Sequence, residues 1–284
     1  MSQVYFIVKE SPEKIAGVVR ALAGGDLAGA EVLIKVHMGE RGNKWYVKPD
    51  MVRIVTDELR RGGSRPFLYD TAIVYGGGRN TVEKHRALAT EHGFDAIGCD
   101  VIIGDKGRFV DLEEEGIAFR FEVSEEVVRT GHIVSVVHGK GHGLTGFGGT
   151  IKNLGMGCVS KSCKLAMHAA TVKGKLKTLG RSPVSFNKVL AMGAKACLGG
   201  KRPLCFHVLL DITKSCDCAR NALPIICPDL GYLLSSDPVA VDAASIDMIT
   251  AEAGPSVFRR DPWEQVVFAE KIGLGTRTYE LVRV

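Results

Sequence analysis

Ile133-Val-Ser-Val-Val137-His138-Gly-Lys140-Gly-His142 carries an apolar, largely β-branched stretch straight into glycine. Such a run reads as a buried strand that hands its last residue to an exposed loop. Strand ends of that kind are where α/β proteins place their chemistry. Eight glycines fall between Gly139 and Gly157, a density that keeps His138 and His142 off any stable helix despite their i, i+4 spacing. The loop continues through Thr145-Gly-Phe-Gly-Gly149 to Lys152-Asn153-Leu-Gly-Met-Gly157, then Cys158 and, further on, Cys163. Bare backbone N–H groups in such a loop can approach a ligand closely, while two imidazoles, two lysines and two thiols supply chemistry.

Strands and helices alternate on both sides of this stretch. Residues 4–8 read as a strand, and Ser11-Pro12-Glu13 opens a helix that Gly24-Gly25 ends. Residues 31–36 form a second strand that releases Lys35, His37 and Glu40 into a polar loop with Arg41, Asn43 and Lys44. A helix from Pro49-Asp50 to Leu59, a strand over 66–69 ending at Asp70, and a helix over 82–92 after Arg79 follow. Between 95 and 123 the pattern breaks into short extended pieces. Beyond the glycine loop come a helix at 164–170, a basic connector at 171–182, a helix at 187–198 and a strand at 203–210. A loop with Cys216-Asp217-Cys218, a strand at 231–234 and helices at 239–253 and 262–272 complete the chain, Ser236-Asp237-Pro238 capping the first of these helices. The alternation predicts an α/β fold, a mainly parallel sheet with flanking helices and two lobes around a crevice. The lobes are expected at 1–130 and at 131–284, the second carrying the Gly/His loop and the Cys-x-Cys loop.

In a parallel sheet the equivalent strand ends share one edge, so the polar groups after each strand should converge there. His37 and His138 are therefore expected within about 10 Å of each other, spanned by a shared ion or small molecule. Asp70 should line the same crevice, and the Cys216-x-Cys218 loop should close it.

With 45% hydrophobic and 24% charged residues, the chain can bury a core and is not disordered. Its +5 charge is scattered rather than gathered into a run, which argues against nucleic acid and leaves a small anionic molecule as the expected partner. The first residues lack the basic flank of a signal peptide, and no apolar run approaches the ~18 residues of a span, so a cytoplasmic location without a membrane partner is expected. Eight cysteines in a reducing compartment then argue for metal, redox or buried thiols before disulfides. Cys99, Cys197 and Cys205 read as core residues. Cys216-x-Cys218 reads either as a buried pair or as two ligands on extended backbone facing one ion, with further ligands from Cys158, Cys163, Cys227 or the histidines. No ferredoxin-type C-x2-C-x2-C run is present. His85, His92, His132, His168 and His207 read as structural, His168 being the exception to watch because it follows the central loop.

Val32-Leu-Ile-Lys-Val-His37-Met-Gly-Glu-Arg-Gly-Asn43, Asp70-Thr71 with Tyr75-Gly and Arg79-Asn-Thr81, the run from His138 through Gly157, Cys216-Asp-Cys218, Pro228-Asp-Leu-Gly231 and Ser236-Asp-Pro-Val-Ala-Val-Asp242 form long, ordered motifs. Across nearly its whole length the chain resembles the uncharacterised iron-sulphur-centre proteins grouped as domain of unknown function 362. Many of those relatives carry an inserted ferredoxin-like segment with two four-cysteine runs. Here 171–187, where that insert would fall, contains no cysteine. The resemblance implies a protein that binds a metal or an iron-sulphur cluster, a redox enzyme acting on a small anionic substrate or cofactor, with a redox partner protein. Two other readings stay open: a non-redox isomerase or transferase with histidine acid–base chemistry on an anion, and a cofactor-binding protein without turnover. In these readings His37, His138, Lys140 and His142 are the catalytic candidates. Lys35, Asp70, Arg79, Lys152 and Asn153 bind substrate, and Cys216, Cys218, Cys158 and Cys163 hold the metal.

Overall fold

The computed structural model describes residues 1–8, 11–24, 27–172, 183–220 and 224–284. Most of the connector expected at 171–182, and of the cysteine-free stretch 171–187, lies outside the described residues. The first half contributes β1 (Ser2–Ile7), α1 (Pro12–Ala23), β2 (Glu31–Val36), α2 (Pro49–Arg61), β3 (Arg65–Thr71), α3 (Val82–Glu91) and β4 (Val101–Gly104). A hairpin of β5 (Gly107–Glu114) and β6 (Ile117–Ser124) follows, then α4 (Glu125–Arg129). Then come β7 (His132–His138), β8 (Lys140–His142), β9 (Gly146–Gly148), α5 (Thr150–Gly157), α6 (Lys161–Val172) and α7 (Phe186–Leu198). The chain ends with β10 (Leu204–Leu209), β11 (Gly231–Ser235), α8 (Pro238–Ala253), α9 (Trp263–Lys271) and β12 (Tyr279–Arg283). Among these, α4 and β12, short and without strong periodicity, and the elements β8, β9 and α5 within the expected glycine loop were not foreseen from sequence. Among the described residues no helix is long and apolar enough to cross a membrane.

Eight strands form one sheet in the order β12-β1-β11-β10-β7-β2-β3-β4. Every pairing is parallel except the two made by β11, which runs against both neighbours. Strands from 1–130 and from 131–284 share this sheet, since β7 lies between β2 and β10. The strands read as continuous apolar runs because both faces are covered. Period-two geometry sends Val32, Ile34, Val134 and Val136 into a core with α1 and α2, and Leu33, Phe67 and Ile133 into a core with α5, α7, α8 and α9. Lys35 and Ser135 have the parity of the second face, and so point at α5.

The expected glycine loop is more ordered than its composition suggests. After β7 the chain makes the β8–β9 hairpin and then enters α5, whose eight residues include two glycines. Propensity disfavours that helix, and tertiary contacts decide it. Its N-cap, Gly149, has no side chain to offer, so the cap comes from α8: Asp242 accepts the N–H of Thr150 at 2.6 Å and that of Ile151 at 3.1 Å. His207 of β10 joins Thr150 Oγ1 to Ser245 Oγ, each at 2.8 Å. Gly155 is required because a Cβ there would stand 2.3 Å from the Leu190 carbonyl oxygen of α7, and a Cβ on Gly157 would meet the end of the Lys35 side chain at 2.0 Å and displace it.

The cap has a measurable consequence. Replacing Asp242 by Ala leaves two buried N–H groups without acceptors, and the expected loss is about 3 kcal/mol of unfolding free energy. Equilibrium urea unfolding checks it, with Asp105→Ala, at an exposed loop position, as a control that should move by less than about 0.5 kcal/mol.

Candidate functional site

β2, β3 and β7 end on one edge, as parallel neighbours must. The register pairs Val36 with Val136, so His37 and His138 leave adjacent strands one residue apart. Both reach one carboxylate. Asp217 Oδ1 lies 2.8 Å from His138 Nδ1, and Asp217 Oδ2 lies 3.8 Å from His37 Nδ1. Lys140 Nζ joins the same carboxylate at 3.1 Å, as an ion pair rather than an aligned hydrogen bond. The other ring nitrogen of His138 meets the Leu210 carbonyl oxygen at 2.9 Å. Both partners only accept, so a ring that serves both carries hydrogen on each nitrogen. Burial alone would raise the Asp217 carboxyl, but Lys140 and His138 hold it well below the usual carboxylate range.

Cys216 and Cys218 sit on a turn, closed by the Ala219 N–H to the Cys216 carbonyl at 3.0 Å, and not on the extended backbone expected from their spacing. The turn is what brings the two sulfurs together. Asn43, from the loop after β2, donates to the Ala219 carbonyl oxygen at 2.9 Å. Cys218 donates its thiol to Cys216, and with Lys152 and His142 this lowers the Cys216 thiol well below its ordinary value against the opposing effect of burial. The Cys218 thiol is raised well above its own, by that hydrogen bond and by burial. Lys152 Nζ lies 3.6 Å from Cys216 Sγ, and the Cys218 N–H lies 3.4 Å from it.

One ligand atom each from His142, Cys216 and Cys218 lie within 4.8 Å of one another. His142 Nδ1 accepts the Thr145 N–H at 3.1 Å, and it also stands 2.9 Å from Thr145 Oγ1, which itself donates to the Phe147 carbonyl. Both imidazole tautomers therefore have a partner. Because Nδ1 accepts the N–H groups of Thr145 and, at 3.3 Å, of Leu144, the ring hydrogen sits on Nε2, and an ion bound at Nε2 would move it to Nδ1, where Thr145 Oγ1 can accept it. Burial lowers the His142 ring below its usual value, keeping it neutral as a ligand must be. Cys158 and Cys163, read with these thiols as metal ligands, are placed elsewhere: both lie in the apolar core, and Cys158 hydrogen-bonds with Cys197. Cys158 follows the end of α5 and Cys163 lies in α6.

Beside the thiols lies a cavity of about 110 Å³. Lys35, His37, Asp70, Arg79, Lys152 and Asn153 line it, together with His142 and Cys218. Its other half is apolar, formed by Ile73, Val74, Leu144, Met156 and Phe186. His138, Lys140 and Cys216 are not among the lining residues. On the floor, Lys35 Nζ lies 3.0 Å from Asp70 Oδ1 and donates to Asn153 Oδ1 at 2.9 Å. Asn153 in turn donates to Ser135 Oγ at 2.9 Å, which ties α5 to β7. Arg79 lies 3.4 Å from Glu40 and 3.9 Å from Asp70, and His85 lies 3.4 Å from Asp70. Burial would raise Asp70, yet Lys35, His85, His37 and Arg79 hold it far below the usual range. His37 is lowered well below its ordinary value, by burial first and Arg79 second, so its ring is neutral.

Lys164 was missed in the sequence, although its i, i+4 spacing to His168 on α6 was visible. It lines the cavity, and Nζ donates to Thr71 Oγ1 at 2.5 Å and to the Ala72 carbonyl at 2.7 Å. No carboxylate pairs with it among the described residues. Burial, with Lys35, Arg79 and Lys152 adding to it, lowers its pKa to about 7. His168, whose Nδ1 lies 3.0 Å from the Lys164 carbonyl, also reaches the cavity.

Residues 32–247 match the family model described as domain of unknown function (DUF362), and the chain belongs to that family. No curated protein matches it. Among solved structures, it is similar to the lactate racemase apoprotein from Thermoanaerobacterium thermosaccharolyticum, at 16% identity and a TM-score of 0.48, over 74% of this chain and 51% of that one. It is also similar to a protein from Thermotoga maritima, at 13% identity and a TM-score of 0.51, over 85% of this chain and 59% of that one. The chain thus spans between half and three-fifths of these two proteins, and the likeness to the second is one of fold.

Lys164 gives a pH signature. Its folded pKa lies below the unfolded value near 10.5, so between about pH 7 and 10 the unfolded chain binds more protons and stability rises with pH. Relative to Lys164→Met, the parent protein should gain up to about 4 kcal/mol across that window, and nothing from this group below it. Urea unfolding of both proteins at several pH values reads the difference.

Proposed function

We propose that this protein holds one thiolate-seeking metal ion between His142, Cys216 and Cys218 and acts as an enzyme on a small anionic substrate bound in the adjoining cavity. The observation that carries this reading is the set of two sulfurs and one imidazole within 4.8 Å of one another, of which Cys218 and His142 line the cavity. Three protein ligands with a fourth position open is the arrangement of catalytic rather than structural zinc sites, and thiolates favour ions of that softness. A four-cysteine iron-sulphur cluster fits less well. Two sulfurs are gathered here, and Cys158, Cys163 and Cys197 are held in the core. An ion so bound would supply Lewis-acid polarisation or, if iron or copper, electron transfer.

The chain's own residues account for the anion. A divalent ion neutralises two thiolates, which leaves the Lys152 ammonium without its counter-charge. Among the described residues no carboxylate pairs with Lys164, whereas Lys35 and Arg79 are balanced by Asp70 and Glu40. Two uncompensated cations facing a half-apolar cavity suit a carboxylate or similar anion with a short apolar body. His37, neutral and at the cavity wall, has Nδ1 accepting the Gly39 N–H at 3.1 Å, so hydrogen resides on its other nitrogen and the ring is a donor toward a bound oxygen.

Metal analysis of anaerobically purified protein should find about one ion per chain, and Cys216→Ser should lose most of it while melting within a few degrees of the metal-free parent. A metal-free parent that regains no ion on incubation with zinc, iron or copper salts would defeat this reading. Four irons per chain with a broad visible band would replace it with a cluster.

A further inference from the structure

Asp217 stands between the two candidate ligands, yet its carboxylate meets the strand ends. It is 1% exposed and lies 2.8 Å from His138 Nδ1 and 3.1 Å from Lys140 Nζ. The turn that carries the sulfurs belongs to no strand or helix, so no ladder of backbone hydrogen bonds fixes it. Among the described residues its tethers include the Asn43 amide on the Ala219 carbonyl, the Lys152 contact to Cys216 and this buried carboxylate. The carboxylate is the stronger tether, because the Lys140 ammonium and the His138 imidazole bind it away from water. His138 and Lys140 flank Gly139 and are held from both sides. The Gly139 N–H donates to the Val208 carbonyl at 3.0 Å, and the Gly141 N–H donates to the Thr213 carbonyl at 2.9 Å. A Cβ on Gly141 would stand 2.5 Å from the Lys214 carbonyl oxygen, so the hairpin lies directly against the chain that leads into the turn.

We infer that Asp217, clamped by His138 and Lys140, is the positioning residue that sets the spacing and aim of the Cys216 and Cys218 sulfurs toward the ion. The inference rests on the metal reading for its ligand, and it gives the His138-Gly-Lys140 motif a role that needs no contact with substrate. Outer partners of metal ligands alter affinity by about 10–100-fold when removed. The acid acts through its cations, so losing Lys140 and losing Asp217 should not add.

Cobalt(II) is the probe. Parent, Asp217→Asn, Lys140→Met, Lys140→Arg and the Asp217→Asn/Lys140→Met double variant are compared for cobalt affinity by chelator competition and for the sulfur-to-cobalt charge-transfer band. Thermal melts of the metal-free proteins run alongside. Expected is at least about a 10-fold loss for Asp217→Asn and for Lys140→Met, with a weakened or displaced band. Lys140→Arg should recover most of the affinity, and the double variant should be no worse than about 2-fold beyond the weaker single variant. Parent-like affinity and band in Asp217→Asn, or in Lys140→Met should Asp217→Asn fail to fold, overturns the inference. A parent that takes up no cobalt defeats the metal reading instead. The clamp is then judged by the rate at which iodoacetamide alkylates Cys216 at neutral pH, which should change by about 5-fold or more in both single variants. An unchanged rate overturns it.

Discussion

A lysine or arginine taken into a protein interior must find a carboxylate or lose its charge, and at the carboxyl edge of this sheet Asp70, with Glu40 beside it on Arg79, and Asp217 supply the carboxylates. Asp70 ends β3 and balances Lys35 from β2 and Arg79 from the following loop. Asp217 comes from the far side and balances His138 and Lys140 from the end of β7. These two centres join four separated stretches of sequence at one place. Parallel pairing of β2 with β3 and β7 makes this possible, because it delivers the cations to the same edge without a connecting loop having to fold back.

Around that charged floor the structure separates two kinds of surface. The cavity is lined on the one hand by His142, Cys218, Lys152 and Lys164 and on the other by the apolar Ile73, Val74, Leu144, Met156 and Phe186. The separation follows from α5. Its cap by Asp242 fixes the helix start, its glycines let α7 and Lys35 come close, and its outward residues Lys152 and Asn153 then reach opposite ends of the site. A perturbed thiolate, a lysine near pKa 7 and a neutral histidine in one pocket are the electrostatic pattern of a site where protons or nucleophiles are handled.

Much of this was legible in the sequence. The strands over 31–36 and 133–137 announced themselves by β-branched runs, and the polar residues that follow them could be placed on one edge from parallel topology alone. His37 and His138 do meet there, at one carboxylate. The carboxylate itself was hidden, because Asp217 looked like a spacer between two cysteines and its partners lie 79 residues away in the chain at His138. The helical state of Thr150–Gly157 was hidden for the same reason: local composition argued for a loop, and the deciding cap comes from α8. Cys158 and Cys163 fell out of the ligand group because sequence proximity to the glycine loop does not say which side of α5 and α6 they occupy.

The central claim is that a turn, and not a strand or a cluster-binding insert, gathers two sulfurs and one imidazole around a single ion. X-ray absorption at the zinc edge of the zinc-loaded protein measures that shell directly. The account predicts two sulfur scatterers at about 2.3 Å, with an imidazole nitrogen and one further light atom at about 2.0–2.1 Å. A shell of light atoms without sulfur, or one with four sulfurs, would contradict it.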